Sequence, residues 1–175
     1  MAAKKSVSAP ADMGAAPTTI QNSEKGFAAS EALIESLQKV LVDLVELSLQ
    51  GKQAHWNVVG HNFRDLHLIL DDMIDQAREH SDIIAERLRA IHAVPDGRTA
   101  TVAVSTALPP YPMGEVSVEE TVDLVTERID LTVGTVRAVH DTVDDADPTS
   151  ADLLHAILDD LEKTSWMISA ENRKA

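Results

Sequence analysis

Nine apolar residues, Leu66, Ile69, Leu70, Met73, Ile74, Ala77, Ile84, Leu88 and Ile91, recur at three- and four-residue intervals over residues 63–92. That spacing lays one apolar stripe along an α-helix. At 1.5 Å per residue such a helix is roughly 45 Å long. A helix of this length with one greasy face needs partners of similar length, and the rest of the chain supplies them. Leu33, Leu37, Val40, Leu41, Leu44, Leu47 and Ser48 mark the face of a first helix from about Ser30 to Val58, and Gly60-His61-Asn62 breaks it from the second. Pro95-Asp96-Gly97 ends the second. A third helix opens on a capping box, Ser117 with Glu120, and runs through Val122, Val125, Ile129, Val133, Val136 and Val139 to about Val143. Asp147-Pro148 offers an N-cap and a first-turn proline to a fourth, which carries Leu153, Leu154, Ile157, Leu158, Leu161 and Met167.

The expected fold is therefore all-α, a four-helix bundle over residues 27–172, after a flexible tail (1–26) rich in Ala, Pro, Ser and Thr and before a short end (173–175). The connection between the second and third helices, through Leu108-Pro109-Pro110-Tyr111-Pro112, is long for a helical hairpin. It predicts a crossover that sets the third helix parallel to the second, with room for a short extra helix over Thr99–Thr106.

Composition excludes several classes. The chain has no cysteine, hence neither a disulfide framework nor a thiolate metal site. It offers no run of about 20 apolar residues to span a bilayer. Residues 1–16 lack the apolar core of a secretory signal, so a cytoplasmic location is expected. A net charge of −14 argues against an ordinary nucleic-acid surface and favours cations.

The chemistry concentrates in His55, His67, Asp71, Asp82 and Glu86. The last four share one broad face of the second helix, beside its apolar stripe. Imidazoles with carboxylates suit iron, manganese or zinc, and carboxylates gathered without a cation would repel one another. Asp71 and Glu86, however, are separated by roughly 22 Å along the axis. His67 with Asp71 and Asp82 with Glu86 are thus two half-sites that one chain cannot join. Two antiparallel copies of this helix across a two-fold axis would join them. The Glu-x-x-His motifs that build an iron pair inside a single bundle are missing from this sequence.

The run Lys-Gln-Ala-His-Trp-Asn-Val-Val-Gly (52–60), followed by Phe63, Leu66-His67, Leu70-Asp71, Asp82 and Ala85-Glu86-Arg87, resembles the signature of the Dps family of mini-ferritins. The likeness extends over residues 30–172, including Leu161-Glu162-Lys163 and Trp166. The Val-Pro-Asp-Gly-Arg turn (94–98) is similar to actinobacterial members. The resemblance implies a ferritin-like bundle and a homododecameric cage built from two-fold dimers, holding ferric mineral. It implies a ferroxidase centre for two irons per inter-subunit site. His55, His67 and Asp71 would come from one subunit and Asp82 and Glu86 from its mate, with Fe(II) and H2O2 as substrates and zinc or manganese as substitutes. Trp56 and Trp166 would either intercept a stray oxidising equivalent or pack at the dimer interface. Lys52 and Arg87 would either orient ligand carboxylates or form surface ion pairs. Asp147 and Asp152 are candidates for an iron-entry pore; the competing role for both is helix capping and solvation. His61, His80, His92, His140 and His155 fall outside the motif and read as structural or surface residues.

The alternative function is a nucleoid protein that compacts DNA. Lys4 and Lys5 near the start and Arg173 and Lys174 near the end are its candidate contacts, yet residues 1–26 carry a net charge of only +1. The acidic chain predicts weak, salt-sensitive DNA binding or none. A purely structural oligomer would leave the five ligand-type residues without a purpose.

Overall fold

A computed structural model describes residues 26–173, and among them five helices. They are α1 (Glu31–Asn57), α2 (Phe63–Ala90), the short α3 (Thr99–Ser105), α4 (Val118–Ala146) and α5 (Pro148–Ser169), followed by a 3-10 turn at Ala170–Asn172. Two short strands, β1 (Val58–Val59) and β2 (Val116–Ser117), pair in parallel. Lys4, Lys5 and Lys174 lie outside the described residues.

The helix ends follow local chemistry. Ser30 and Ser117 each accept a hydrogen bond at the side-chain oxygen, from the amides of Leu33 and Glu120 respectively, both at 3.2 Å. Asn62, with φ +64°, sets the left-handed step into α2. α2 ends two residues before His92, in a Schellman motif. The Ala93 amide donates to Leu88 O at 2.8 Å and the His92 amide to Arg89 O at 3.1 Å. His92 therefore occupies the left-handed position, φ +66°, where glycine is usual.

Side-chain pairs fix the packing directions. Gln50 meets Arg128 and Asp43 meets Thr135, so α1 and α4 run antiparallel. Arg87 meets Ser150, His80 meets Asp160 and Thr164 meets Gln76, so α2 and α5 are antiparallel too. Since α1 and α2 form a hairpin, α2 and α4 point the same way, as the long connection predicts. The predicted stripes fill the core: Leu33, Leu37, Leu44, Leu70, Met73, Ile74, Ile84, Leu88, Ile129, Val136 and Leu154 are 0% exposed. Met167 departs from its predicted stripe and is 46% exposed, because Ile168 takes the inward position at that turn.

The crossover runs along α1 and is tied to it by buried polar groups. Gln38 exchanges hydrogen bonds with the backbone of Asp96. The Asp43 carboxylate accepts from Thr106 Oγ1 and the Ala107 amide, both at 2.8 Å. Arg128, 3% exposed, donates from Nε to Gln50 at 2.6 Å and from Nη2 to Pro110 O at 3.1 Å, and its guanidinium lies 5.2 Å from the centre of the Tyr111 ring. These partners satisfy carbonyls that the proline-rich segment cannot pair within itself. No described helix is long and apolar enough to cross a membrane.

Candidate metal centre

The α1–α2 turn folds residues twelve positions apart onto one another. His55 sits in the last turn of α1 and His67 in the second turn of α2. The Nδ1–H of His55 donates to the carbonyl of His67 at 2.9 Å, and the Nδ1–H of His67 donates to the carbonyl of His55 at 3.0 Å. A carbonyl can only accept, so both rings carry their proton on Nδ1 and leave an unprotonated Nε2. The rings stack with centroids 3.6 Å apart. Ligand atoms of His55, His67 and Asp71 all lie within 4.8 Å of one another, the one such group of three among the described residues.

Close helix packing makes this possible. A Cβ added at Gly51 would stand 2.7 Å from Met73 Cε and 2.8 Å from Ile74 Cγ1. The absence of a side chain there lets α1 approach α2 one turn before His55. Leu66 and Leu70, both buried, anchor the face from which His67 and Asp71 emerge beside the core.

Lys52 Nζ donates to Asp71 Oδ1 at 2.5 Å, and His55 Nδ1 lies 3.4 Å from the same oxygen. The hydrogen bond from Lys52 is the main reason the Asp71 carboxyl stays below its usual range, against the opposing effect of partial burial; the charge of Lys52 adds to it. Asp71 is thus an anion at neutral pH, and with Oδ1 engaged a carboxylate still has a second oxygen for an ion. Lys52 thus pairs with a predicted ligand carboxylate, a contact that both expected roles, orienting group and surface ion pair, would make.

The other half of the predicted ligand set lies elsewhere. Asp82 and Glu86 are exposed, on the same unbroken α2 and about 16 and 22 Å along it from Asp71. Arg87 does not pair with any predicted ligand carboxylate. It faces α5, where Nη2 donates to Asp147 Oδ2 at 2.5 Å and Nε to Ser150 Oγ at 2.9 Å. Asp147 is 7% exposed, so its carboxylate is committed inside the subunit, while Asp152 is open to solvent. Burial opposes the Asp147 charge, but hydrogen bonds from Ser150 and Arg87 outweigh it and hold the carboxyl below its usual range. Trp56 is 70% and Trp166 60% exposed, and the Phe63 ring meets His67 edge-on at 6.4 Å. Arg173 is exposed at the end of the described chain.

Comparison with known proteins identifies this architecture. The Ferritin family, described as a ferritin-like domain, matches residues 34–175. The "DNA protection during starvation protein" of Agrobacterium fabrum is 34% identical over 81% of this chain and 88% of its own length. The chain belongs to the Dps family. Its solved Dps relatives include that of Microbacterium arborescens, determined "in the high iron form", with a TM-score of 0.78 and 30% identity over 83% of this chain and 98% of that one. A protein named "Fine tangled pili major subunit", from Haemophilus ducreyi, is 35% identical over 82% of this chain and 76% of its own length. Within this Dps subunit, sequence reasoning found every member of the His55–His67–Asp71 group. It missed the Arg87–Asp147 pair and a contact between His140 and His155, both of which join residues on different helices and carry no local spacing signal.

Proposed function

We propose that this Dps protein is a ferroxidase and iron store, acting at a site shared between two subunits. The observation that carries the reading is the reciprocal locking of His55 and His67. Both imidazoles are held in the tautomer that leaves Nε2 without a proton, beside an ionised Asp71. Ligand orientation by Nδ1–H bonds to carbonyls is how proteins prepare histidines for a metal.

Three donors on one side leave an iron open on the other. Asp82 and Glu86 of the same chain are too far away to close it. An antiparallel copy of α2, related by a two-fold axis, presents its own Asp82 and Glu86 at that opening, with Glu86 able to bridge two ions. The solvent exposure of Trp56 and Phe63, large apolar side chains next to the ligands, is consistent with a surface that a second copy covers. This reading places Trp56 in the dimer contact.

Ferrous ions are the substrate. With hydrogen peroxide as oxidant, two Fe2+, one H2O2 and two protons give two Fe3+ and two waters. A paired site delivers both electrons together, so peroxide is reduced without releasing hydroxyl radical. Ferric product accumulates inside a cage of twelve copies assembled from these dimers, with Asp152 as a pore candidate at its entrances. Zinc or manganese, accepted by the same donors, would compete with iron. DNA is protected because ferrous iron and peroxide are removed, which requires no DNA contact; the net charge of −14 fits that division of labour.

The double variant His67→Ala/Asp71→Ala tests the reading. It should assemble as the wild type does and lose rapid peroxide-dependent oxidation of Fe2+, followed at the ferric absorption. Wild-type kinetics in an assembled variant would refute the assignment.

A further inference from the structure

Outside the His55 group, the contact between His140 near the end of α4 and His155 on α5 stands out. Their Nε2 atoms approach to 2.7 Å, with ring centroids 4.8 Å apart. Each Nδ1 faces a carboxylate. The Nδ1–H of His140 donates to Asp141 Oδ1 at 3.2 Å, and Asp152 Oδ1 lies 3.6 Å from Nδ1 of His155. A carboxylate at neutral pH only accepts, so His140 carries its proton on Nδ1 and points a lone pair at His155. If His155 answered with a hydrogen bond from Nε2, its neutral ring would turn a bare Nδ1 toward the anion of Asp152. If it put its proton toward Asp152, two lone pairs would meet. Either neutral arrangement is frustrated, and a positive charge between the two Nε2 atoms, a proton or a metal ion, relieves both.

We propose that His140 and His155 form a second metal site, for zinc or another borderline divalent cation, independent of the His55–His67–Asp71 centre. The carboxylate–imidazole–metal order, hydrogen-bonded at His140 and with Asp152 in ion-pair range at His155, is the kind of arrangement that orients histidine ligands and raises their basicity. The pair opens on a cavity of about 290 Å³ lined by Arg137, His140, Asp141, His155 and Leu158, with room for waters to complete the coordination. The nearby cation, Arg137, is neutralised by Glu162, which accepts from its Nε at 2.9 Å. A tetrahedral ion bound about 2.05 Å from each nitrogen needs them about 3.3 Å apart. The rings must therefore part by about 0.6 Å, which His155, more than half exposed at its side chain, is free to do. Two imidazoles without thiolates suit zinc, copper, nickel or cobalt(II) over magnesium or calcium.

The assembled protein is dialysed against ZnCl2 and its zinc content measured, for the wild type, His140→Ala and His155→Ala, each also carrying His67→Ala/Asp71→Ala. In that background each histidine variant should hold one zinc fewer per subunit than its parent. Crystals of the zinc-soaked wild type should give an anomalous peak between the two Nε2 atoms. Equal zinc content in parent and variants, or no peak at this position, would overturn the proposal. Because the background already lacks the α1–α2 centre, neither result depends on how iron is oxidised there.

Discussion

Mixing two inactive variants is the sharpest test of a shared site. One variant, His67→Ala/Asp71→Ala, lacks the proposed front half of every pocket; the other, Asp82→Ala/Glu86→Ala, lacks the proposed back half. Each alone forms dimers in which both pockets are damaged. In a mixed dimer one pocket combines both damaged halves, and the other combines both intact halves. Random pairing of equal amounts makes about half the dimers mixed, with one of two pockets restored in each, so about a quarter of all pockets recover. The geometry leaves no competing route: α2 is one continuous helix, Phe63–Ala90, and a rise of 1.5 Å per residue keeps Glu86 about 22 Å from Asp71 of its own chain. Co-expressed cages should therefore oxidise Fe2+ with peroxide at about a quarter of the wild-type initial rate, while separately assembled and then mixed cages stay inactive. No recovery in verified mixed cages, with each parent inactive on its own, would refute the shared pocket. Full activity in the Asp82→Ala/Glu86→Ala parent would refute the assignment of the back half.

Three further outcomes follow from packing and charge. Gly51→Ala gains about 1 kcal/mol of helix propensity but forces Met73 and Ile74 aside, an overpacking cost of about 1–3 kcal/mol. It should lower the thermal midpoint and weaken metal binding by parting His55 from His67, both measurable by melting with and without Zn2+. Asp147→Asn removes the counter-charge of half-buried Arg87 and should cost about 2–3 kcal/mol per subunit at pH 7 in denaturant melts. Because the folded carboxyl is held low, its stabilisation is present above the unfolded value of about 4 and is lost as pH falls through the folded value. Wild type and variant should therefore converge in acid; a gap independent of pH would contradict the ion pair. His92→Gly relieves a left-handed non-glycine residue and should raise stability by about 1 kcal/mol, with oxidation kinetics unchanged.

What was legible in the chain is what repeats along it. The stripes of Leu, Ile and Val, the cap at Ser117, the proline opening α5 and the length of the proline-rich connection fixed an all-helical bundle with a crossover. All of these are signals within a few residues of one another. The spacing of His67, Asp71, Asp82 and Glu86 was also enough to show that Asp82 and Glu86 cannot reach Asp71 within one chain, because helix rise is a constant of the backbone. Tertiary structure alone decided the rest. It turned His55 and His67 so that each bonds the other's carbonyl, which depends on the close approach at Gly51. It gave Arg87 to Asp147, and it brought His140 against His155. These pairings arise where two helices meet, and the rotation and register of a helix contact are set by the packing of whole faces, which no local run of residues encodes.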